Sequence, residues 1–405
     1  MPIIYMHGVN TRDPAHFKPV QEYLRNIVAP AISAKPQNVS IRAADWFQLC
    51  PAPKWEGISR PRTALFGMGA EATPNEMLDA MLAAAPRAPA PASSFTSGSA
   101  ASASGGIRLD QMSDEDLADL IALASAKPGT TPLQRAQIGV AADRVAHDPD
   151  VRTRLAQAAT PDAQWIIIAE AMQRDVKAPA SFASAGAFDV LRDIKDRIQE
   201  SVSRTVSKPA VGLSIAAGEL RPALNDLVTR FLGDALYYIS GRGTATAPGP
   251  IPLVLIKELQ IAQTNRQEND NEPIVLLTHS MGGQIAYDTV TSFLPAANSP
   301  IKIDYWCAAA SQVGFFEELN MFLASSPDNS KATGRKTPVP PAAHLGKWWN
   351  AWDTNDIISF TTKDIFAAGI DDEEYKTGMS TAAAHGGYLE RSSFYRRFAE
   401  KIQAK

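Results

Sequence analysis

Short apolar runs alternate with segments of helical period in two stretches of the chain, which lie far apart. Pro2–Met6 has the uninterrupted apolar character of a buried strand, and Val39–Trp46 resumes it. Between them His16–Ile32 places Phe17, Val20, Tyr23, Leu24 and Ile27 at helical spacing. Strand, helix, strand predicts parallel pairing through a crossover. The same alternation returns after residue 250. A helix over Leu253–Gln263 and a polar loop over Thr264–Glu272 lead to the apolar run Ile274–Leu277. Strand Ile301–Ala309, helix Val313–Leu323, polar loop Asp328–Pro341, strand Lys347–Trp352 and helix Ser393–Ala404 complete the pattern. It predicts an α/β fold with a mostly parallel sheet, assembled from residues 1–50 and 251–405.

Strand-like runs are scarce over residues 51–250, where alanine, proline and glycine accumulate. Helix starts are legible there. Thr73-Pro74-Asn75-Glu76 and Thr131-Pro132-Leu133-Gln134 each offer a capping threonine, a proline in the first turn and a side chain that can reach back. Ser113, Asp148-Pro149 and Thr160-Pro161 are weaker versions. Longer amphipathic helices are predicted over Ala187–Val202, with Leu191, Ile194, Ile198 and Val202 on one face, and over Arg221–Ser240. The Ala/Pro/Ser/Gly-rich stretch over residues 84–106 reads as a flexible linker. A helical insertion within an α/β domain is the expected organisation.

Composition narrows the class. With 405 residues, 45% hydrophobic and 20% charged, the chain has the make-up of a soluble globular protein. A net charge of -4 supplies no basic field for nucleic acid. Two cysteines, Cys50 and Cys307, exclude a disulfide framework and point to a reducing compartment. The N-terminus lacks the charged flank and long apolar region of a secretory signal, and no apolar run reaches the roughly 20 residues that cross a bilayer. A cytoplasmic protein is expected, with signal-less export left open.

The candidate chemistry centres on Pro273–Tyr287, in which Thr278-His279-Ser280-Met281-Gly282-Gly283 follows the apolar run. Buried strand, serine, two glycines and helix is the layout of a nucleophile elbow. Glycine at 282 and 283 lets the helix begin close against the strand. Without chemistry, the same stretch is a glycine-rich turn. A serine hydroxyl needs a base to take its proton and a third group to orient that base. Six histidines make the search short. His279 adjoins the serine on a strand expected to point its side chain the other way. His7 belongs to the first strand's turn, His16 and His147 to upstream helices, and His344 to a proline-rich loop. His385, in an Ala-His-Gly-Gly loop before the last helix, is the candidate base. Asp353 and Asp356 both emerge from the end of strand Lys347–Trp352. Asp356, at the loop tip, is favoured as the acid, with Asp353 as a turn former and the alternative. The histidines show no ligand spacing with cysteines or carboxylates and no phosphate-binding glycine loop is present, so no metal and no cofactor are expected.

Through Tyr5-Met6-His7-Gly8-Val9, the elbow, Trp349-Asn350-Ala351-Trp352-Asp353-Thr354-Asn355-Asp356 and Ala384-His385-Gly386-Gly387-Tyr388, the chain resembles the α/β-hydrolase fold, and within it the serine lipases and esterases. The order Ser280, Asp356, His385 is that of the family. The resemblance covers about the first 50 and last 155 residues, and Thr278 departs from it, because glycine usually stands there. It implies a catalytic triad, and an oxyanion hole from the N–H groups of Val9 and Met281, with His7 bracing the first turn. Two such donors stabilise a developing oxyanion by roughly 3 kcal/mol each. It further implies a cap or lid above Ser280 formed by residues 51–250, and an apolar acyl-ester or lipid substrate, with transient contact to a lipid surface through the cap. Trp46, Phe47, Trp348 and Trp349 are read either as an acyl pocket or as core. The same triad serves acyl transfer or thioester cleavage, and a hydrolase scaffold can also serve as an interaction or regulatory protein.

Overall fold

The computed structural model describes residues 2–9, 11–50, 52, 108–126, 130–175, 231–268, 272–379 and 381–404. The expected linker at 84–106, the cap at Thr73, the helix Ala187–Val202 and the first part of Arg221–Ser240 lie outside the described residues. Strands β1 (Pro2–Met6), β2 (Ser40–Ala43), β5 (Val275–His279), β6 (Ile303–Ala309), β7 (Leu345–Trp352) and β8 (Asp371–Glu374) form a six-stranded sheet in the order β2-β1-β5-β6-β7-β8. Every neighbouring pair is parallel. A separate antiparallel pair, β3 (Gly243–Thr244) and β4 (Ala247–Pro248), forms a small hairpin.

Strand side chains alternate between two cores. Ile3, Tyr5, Val275 and Leu277 pack with the helical segments over 17–32 and the closing helix Ser392–Gln403. Ile4, Met6, Leu276 and Trp306 pack on the other face with helices Pro250–Glu268 and Gly282–Asp288. Helices on both faces explain why these strands read as continuous apolar runs. The strand order reverses between β1 and β5, so their carboxyl ends open onto the crevice where such sheets place their sites.

The expected helix His16–Ile32 is broken by a wide π-turn at Leu24–Val28, and a second one occupies Thr289–Phe293. Each precedes a proline, Pro30 or Pro295, that cannot donate the regular hydrogen bond one turn back. Helix Val313–Glu318 ends earlier than expected, with Asn320 in the left-handed region at φ 55°. Strand β8 was not foreseen. Its Asp-Asp-Glu-Glu sequence has no apolar period, and charged partners hold it instead: Lys401 reaches Asp371 and Glu373, and Arg397 reaches Glu373.

The capping box at Thr131 forms as expected, with Gln134 N–H donating to Thr131 Oγ1 at 3.2 Å and Thr131 N–H to Gln134 Oε1 at 2.9 Å. Ser113, Asp148 and Thr160 also cap their helices. These helices, within residues 114–174, share their own core around Leu117, Ile121, Ile138 and Trp165. They dock on the sheet's helical layer through Asp143–Arg396, Glu115–Arg397 and Asp119–Ser393. No helix among the described residues is long and apolar enough to cross a membrane.

Candidate active site

Ser280 stands between the end of β5 and the start of helix Gly282–Asp288, with φ at 53°. A residue with a Cβ holds that left-handed conformation at a cost of about 1–2 kcal/mol. Its main chain is therefore pinned: Ser280 N–H donates to Ala309 O at 2.9 Å and Gly283 N–H to Ser280 O at 2.8 Å. Gly282 is required because a Cβ there would stand 2.6 Å from the Met6 carbonyl oxygen. Thr278, which departs from the family pattern, is fully buried, and its hydroxyl accepts the Trp306 indole N–H at 2.9 Å. The neighbouring strand thus absorbs the side chain that glycine would have omitted.

On its other side Ser280 meets Gly8, where an added Cβ would lie 2.6 Å from Ser280 Cβ and 3.1 Å from Oγ. The His7-Gly8-Val9 turn passes directly over the serine, and His7 fixes it. Trp46 N–H donates to His7 Nε2 at 3.1 Å, which leaves the ring proton on Nδ1 to reach Gly8 O at 2.7 Å. Trp46 closes the brace from its indole N–H to His7 O at 2.9 Å, its ring stacked on the imidazole. Burial pushes the His7 pKa down to about 3, so this imidazole is neutral. Met281 precedes the first turn of its helix, where the leading N–H groups lack partners within the helix. Val9 and Met281 thus flank the serine from two different elements.

The candidate base and acid are brought together. His385 Nδ1 lies 2.9 Å from Asp356 Oδ2 and 3.1 Å from Oδ1. A carboxylate acceptor places the proton on Nδ1 and leaves Nε2 with a free lone pair, the form a general base needs. Asp353 is committed elsewhere: its Oδ2 accepts from Thr377 N–H at 2.8 Å and Thr377 Oγ1 at 2.7 Å, and its Oδ1 from Asn355 N–H at 2.9 Å. It serves the turn. His385 sits not in a loop but in helix Thr381–Gly387, because Gly386 and Gly387 keep helical conformation and run on into a 3-10 turn at Tyr388–Glu390.

His385 meets the elbow through His279, whose Nε2 lies 2.6 Å from His385 O, with ring centroids 4.8 Å apart. Ser280 Oγ itself accepts from Gln312 Nε2 at 3.5 Å, and among the described residues no hydrogen bond joins it to His385. Catalytic hydrogen bonds in substrate-free sites are often long and tighten on binding. Gln312 was not singled out by any periodicity. Its Nε2 donates to Ala310 O at 2.8 Å and to Ile358 O at 2.6 Å, which joins the end of β6 to the acid's loop. In each of these contacts the Gln312 amide is the donor, so the serine hydroxyl stays free to donate.

Two further residues escaped the sequence reading because they pair across 222 positions. Arg12, in the turn after Val9, donates to Asp234 Oδ1 at 2.6 Å and Oδ2 at 3.0 Å. Asp234 belongs to the helix over 231–241, so the late part of the insertion touches the turn above Ser280. His7, His16 and Asp45 bring ligand atoms within 4.8 Å of one another, a grouping invisible in their spacing. Both ring nitrogens of His7 are already taken by the main chain, which leaves it no lone pair for a cation. Trp46, Trp348 and Trp349 are core rather than an acyl pocket, each 4% exposed or less. Compared with family models, curated proteins and solved structures, the chain matches none.

Proposed function

We propose that this chain is a serine hydrolase of the α/β-hydrolase type, cleaving carboxylic esters of lipids or other apolar acyl groups. The observation that carries the reading is a left-handed Ser280 at the β1/β5 crevice beside an Asp356–His385 pair 2.9 Å apart. Ser280 Oγ attacks the acyl carbon while His385 Nε2 takes its proton. Asp356 holds the imidazole and stabilises its cation. The Val9 and Met281 N–H groups receive the oxyanion. His385 returns the proton to the leaving alkoxide, and water repeats the sequence on the acyl-enzyme.

Apolar surface beside these groups supports an apolar acyl chain. Ile357, next to Asp356, is 74% exposed, and Phe360, on the same loop, stacks on Phe315 at 4.9 Å. The insertion acts as a cap through its late helix, which meets the oxyanion turn at Arg12–Asp234. Leu232 and Leu236, one turn apart and exposed on that helix, are the residues that would meet a lipid surface.

The test is fluorophosphonate labelling together with cleavage of p-nitrophenyl butyrate. Both should be lost in Ser280→Ala; turnover unchanged in that protein refutes the proposal. The missing Ser280–His385 hydrogen bond favours one second reading, an interaction protein on a hydrolase scaffold, for which wild-type protein would not label at all. Product analysis with added alcohol separates hydrolysis from acyl transfer.

A further inference from the structure

His279 is the last residue of β5 and precedes the nucleophile. Strand alternation alone turns its side chain away from the serine, and the structure shows what it turns toward. Helix Thr381–Gly387 is seven residues long, and the carbonyls of its last turn have no partners inside the helix. His385 carries one of those carbonyls. It accepts a hydrogen bond from His279 Nε2 at 2.6 Å, with the two rings tilted 51° to each other. A carbonyl oxygen only accepts, so the His279 proton is on Nε2. Enclosure, and then the neighbouring His385, push the His279 pKa down to about 3, which keeps it neutral at physiological pH.

We propose that His279 is a positioning residue: its Nε2–H ties the main chain of His385 to the elbow, so that nucleophile and base are held as one body. This rests on the reading of Ser280 and His385 as nucleophile and base. The need for such a tie follows from how His385 is otherwise held. Asp356 grips Nδ1 and fixes the tautomer, yet a ring held at one edge by a carboxylate can still swing about that contact. The main-chain anchor holds the backbone from which that ring hangs, and it comes from the residue covalently joined to Ser280. Gly386, directly after the base, has open space around its Cα, so the chain there gains no hold from a side chain, and the His279 bond adds one at the preceding carbonyl.

The experiment uses the full chain. His279→Phe keeps a ring and removes the donor, whereas His279→Gln restores an N–H at similar reach. On p-nitrophenyl butyrate, His279→Phe is expected to lower kcat about 10²-fold with KM unchanged, as a misplacement near 1 Å does, and His279→Gln to recover most of that loss. Unchanged kcat in His279→Phe overturns the proposal, as does a kcat loss that tracks lost folding by near-ultraviolet circular dichroism and is not rescued by glutamine. A second measurement does not depend on turnover: nitrogen-edited NMR of wild-type protein should show a His279 Nε2–H proton protected from exchange at neutral pH. Its absence refutes the tie. If wild-type protein has no Ser280-dependent turnover while that proton is protected, the functional reading fails and the tie stands.

Discussion

The Gly8 backbone lies against the Ser280 side chain, so closely that a Cβ on Gly8 would fall 2.6 Å from Ser280 Cβ. The turn that offers Val9 N–H and the turn that offers the hydroxyl therefore share one volume. Neither can move without the other. Gly8→Ala must push the two apart, at an overpacking cost of about 1–3 kcal/mol. Fluorophosphonate labelling should fall at least about 10²-fold, the scale of losing one oxyanion donor. A folded Gly8→Ala protein that labels at the wild-type rate would show that the turn has no part in the chemistry.

The two aspartates of the β7 loop should separate cleanly. Asp356→Asn preserves shape but no longer selects the Nδ1–H tautomer of His385, and kcat should drop on the order of 10⁴-fold with little change in melting temperature. Asp353→Asn weakens two buried hydrogen bonds from Thr377, so it should lose about 1–3 kcal/mol of stability while retaining kcat in the folded fraction. Steady-state kinetics beside urea melts decide the assignment. The reverse pattern would make Asp353 the acid.

What could be read from the sequence was whatever local chemistry determines. The apolar run into Thr278-His279-Ser280 fixed β5 and the elbow because a strand buried on both faces has no polar alternation to confuse it. Thr131 and Gln134 announced a helix start because both halves of a capping box lie within four residues. The docking of that helix was not legible, since Asp143 finds Arg396 across 253 residues. Strand β8 was hidden by its charges. Gln312 was hidden for a different reason: its value lies in bridging Ala310 O and Ile358 O, and nothing in its neighbours marks a residue whose partners are carbonyls of separate loops. His279 was expected to point away from the serine, and its partner was not legible, because that partner is a helix end 106 residues later.

Stability should fall on acidification through two neutral imidazoles. His7 and His279 both have folded pKa values lowered from 6.5 to about 3. In the unfolded chain each binds a proton near pH 6.5, so between those limits the unfolded state holds more protons. The contribution is therefore complete above pH 6.5 and is lost as pH falls toward 3. Each group adds about 1.4 kcal/mol per pH unit across that window. Urea melts from about pH 6 to about pH 4 should show this slope reduced by that amount in His279→Gln. An identical slope in the variant would mean that His279 titrates normally in the folded protein.

Arg12 and Asp234 join the helix over 231–241 to the segment after Val9, and a double-mutant cycle can separate the proposed effect on chemistry from packing. Asp234 is 1% exposed, so removing only its partner leaves a buried carboxylate without the Arg12 guanidinium. Arg12→Met should cost about 3 kcal/mol or more for that reason. Adding Asp234→Leu removes the buried charge and should recover most of the stability, since a buried ion pair replaced by apolar side chains is often neutral. Catalysis should not recover with it. Arg12 follows Val9 by three residues, and on the proposed reading the pair tethers the far end of the turn whose near end His7 and Trp46 brace. With one end released, the Val9 N–H loses its fixed position, and labelling in the double variant should stay about 10-fold below wild type. A double variant that is stable and labels at the wild-type rate would reduce the pair to packing and disconnect the helix over 231–241 from the chemistry.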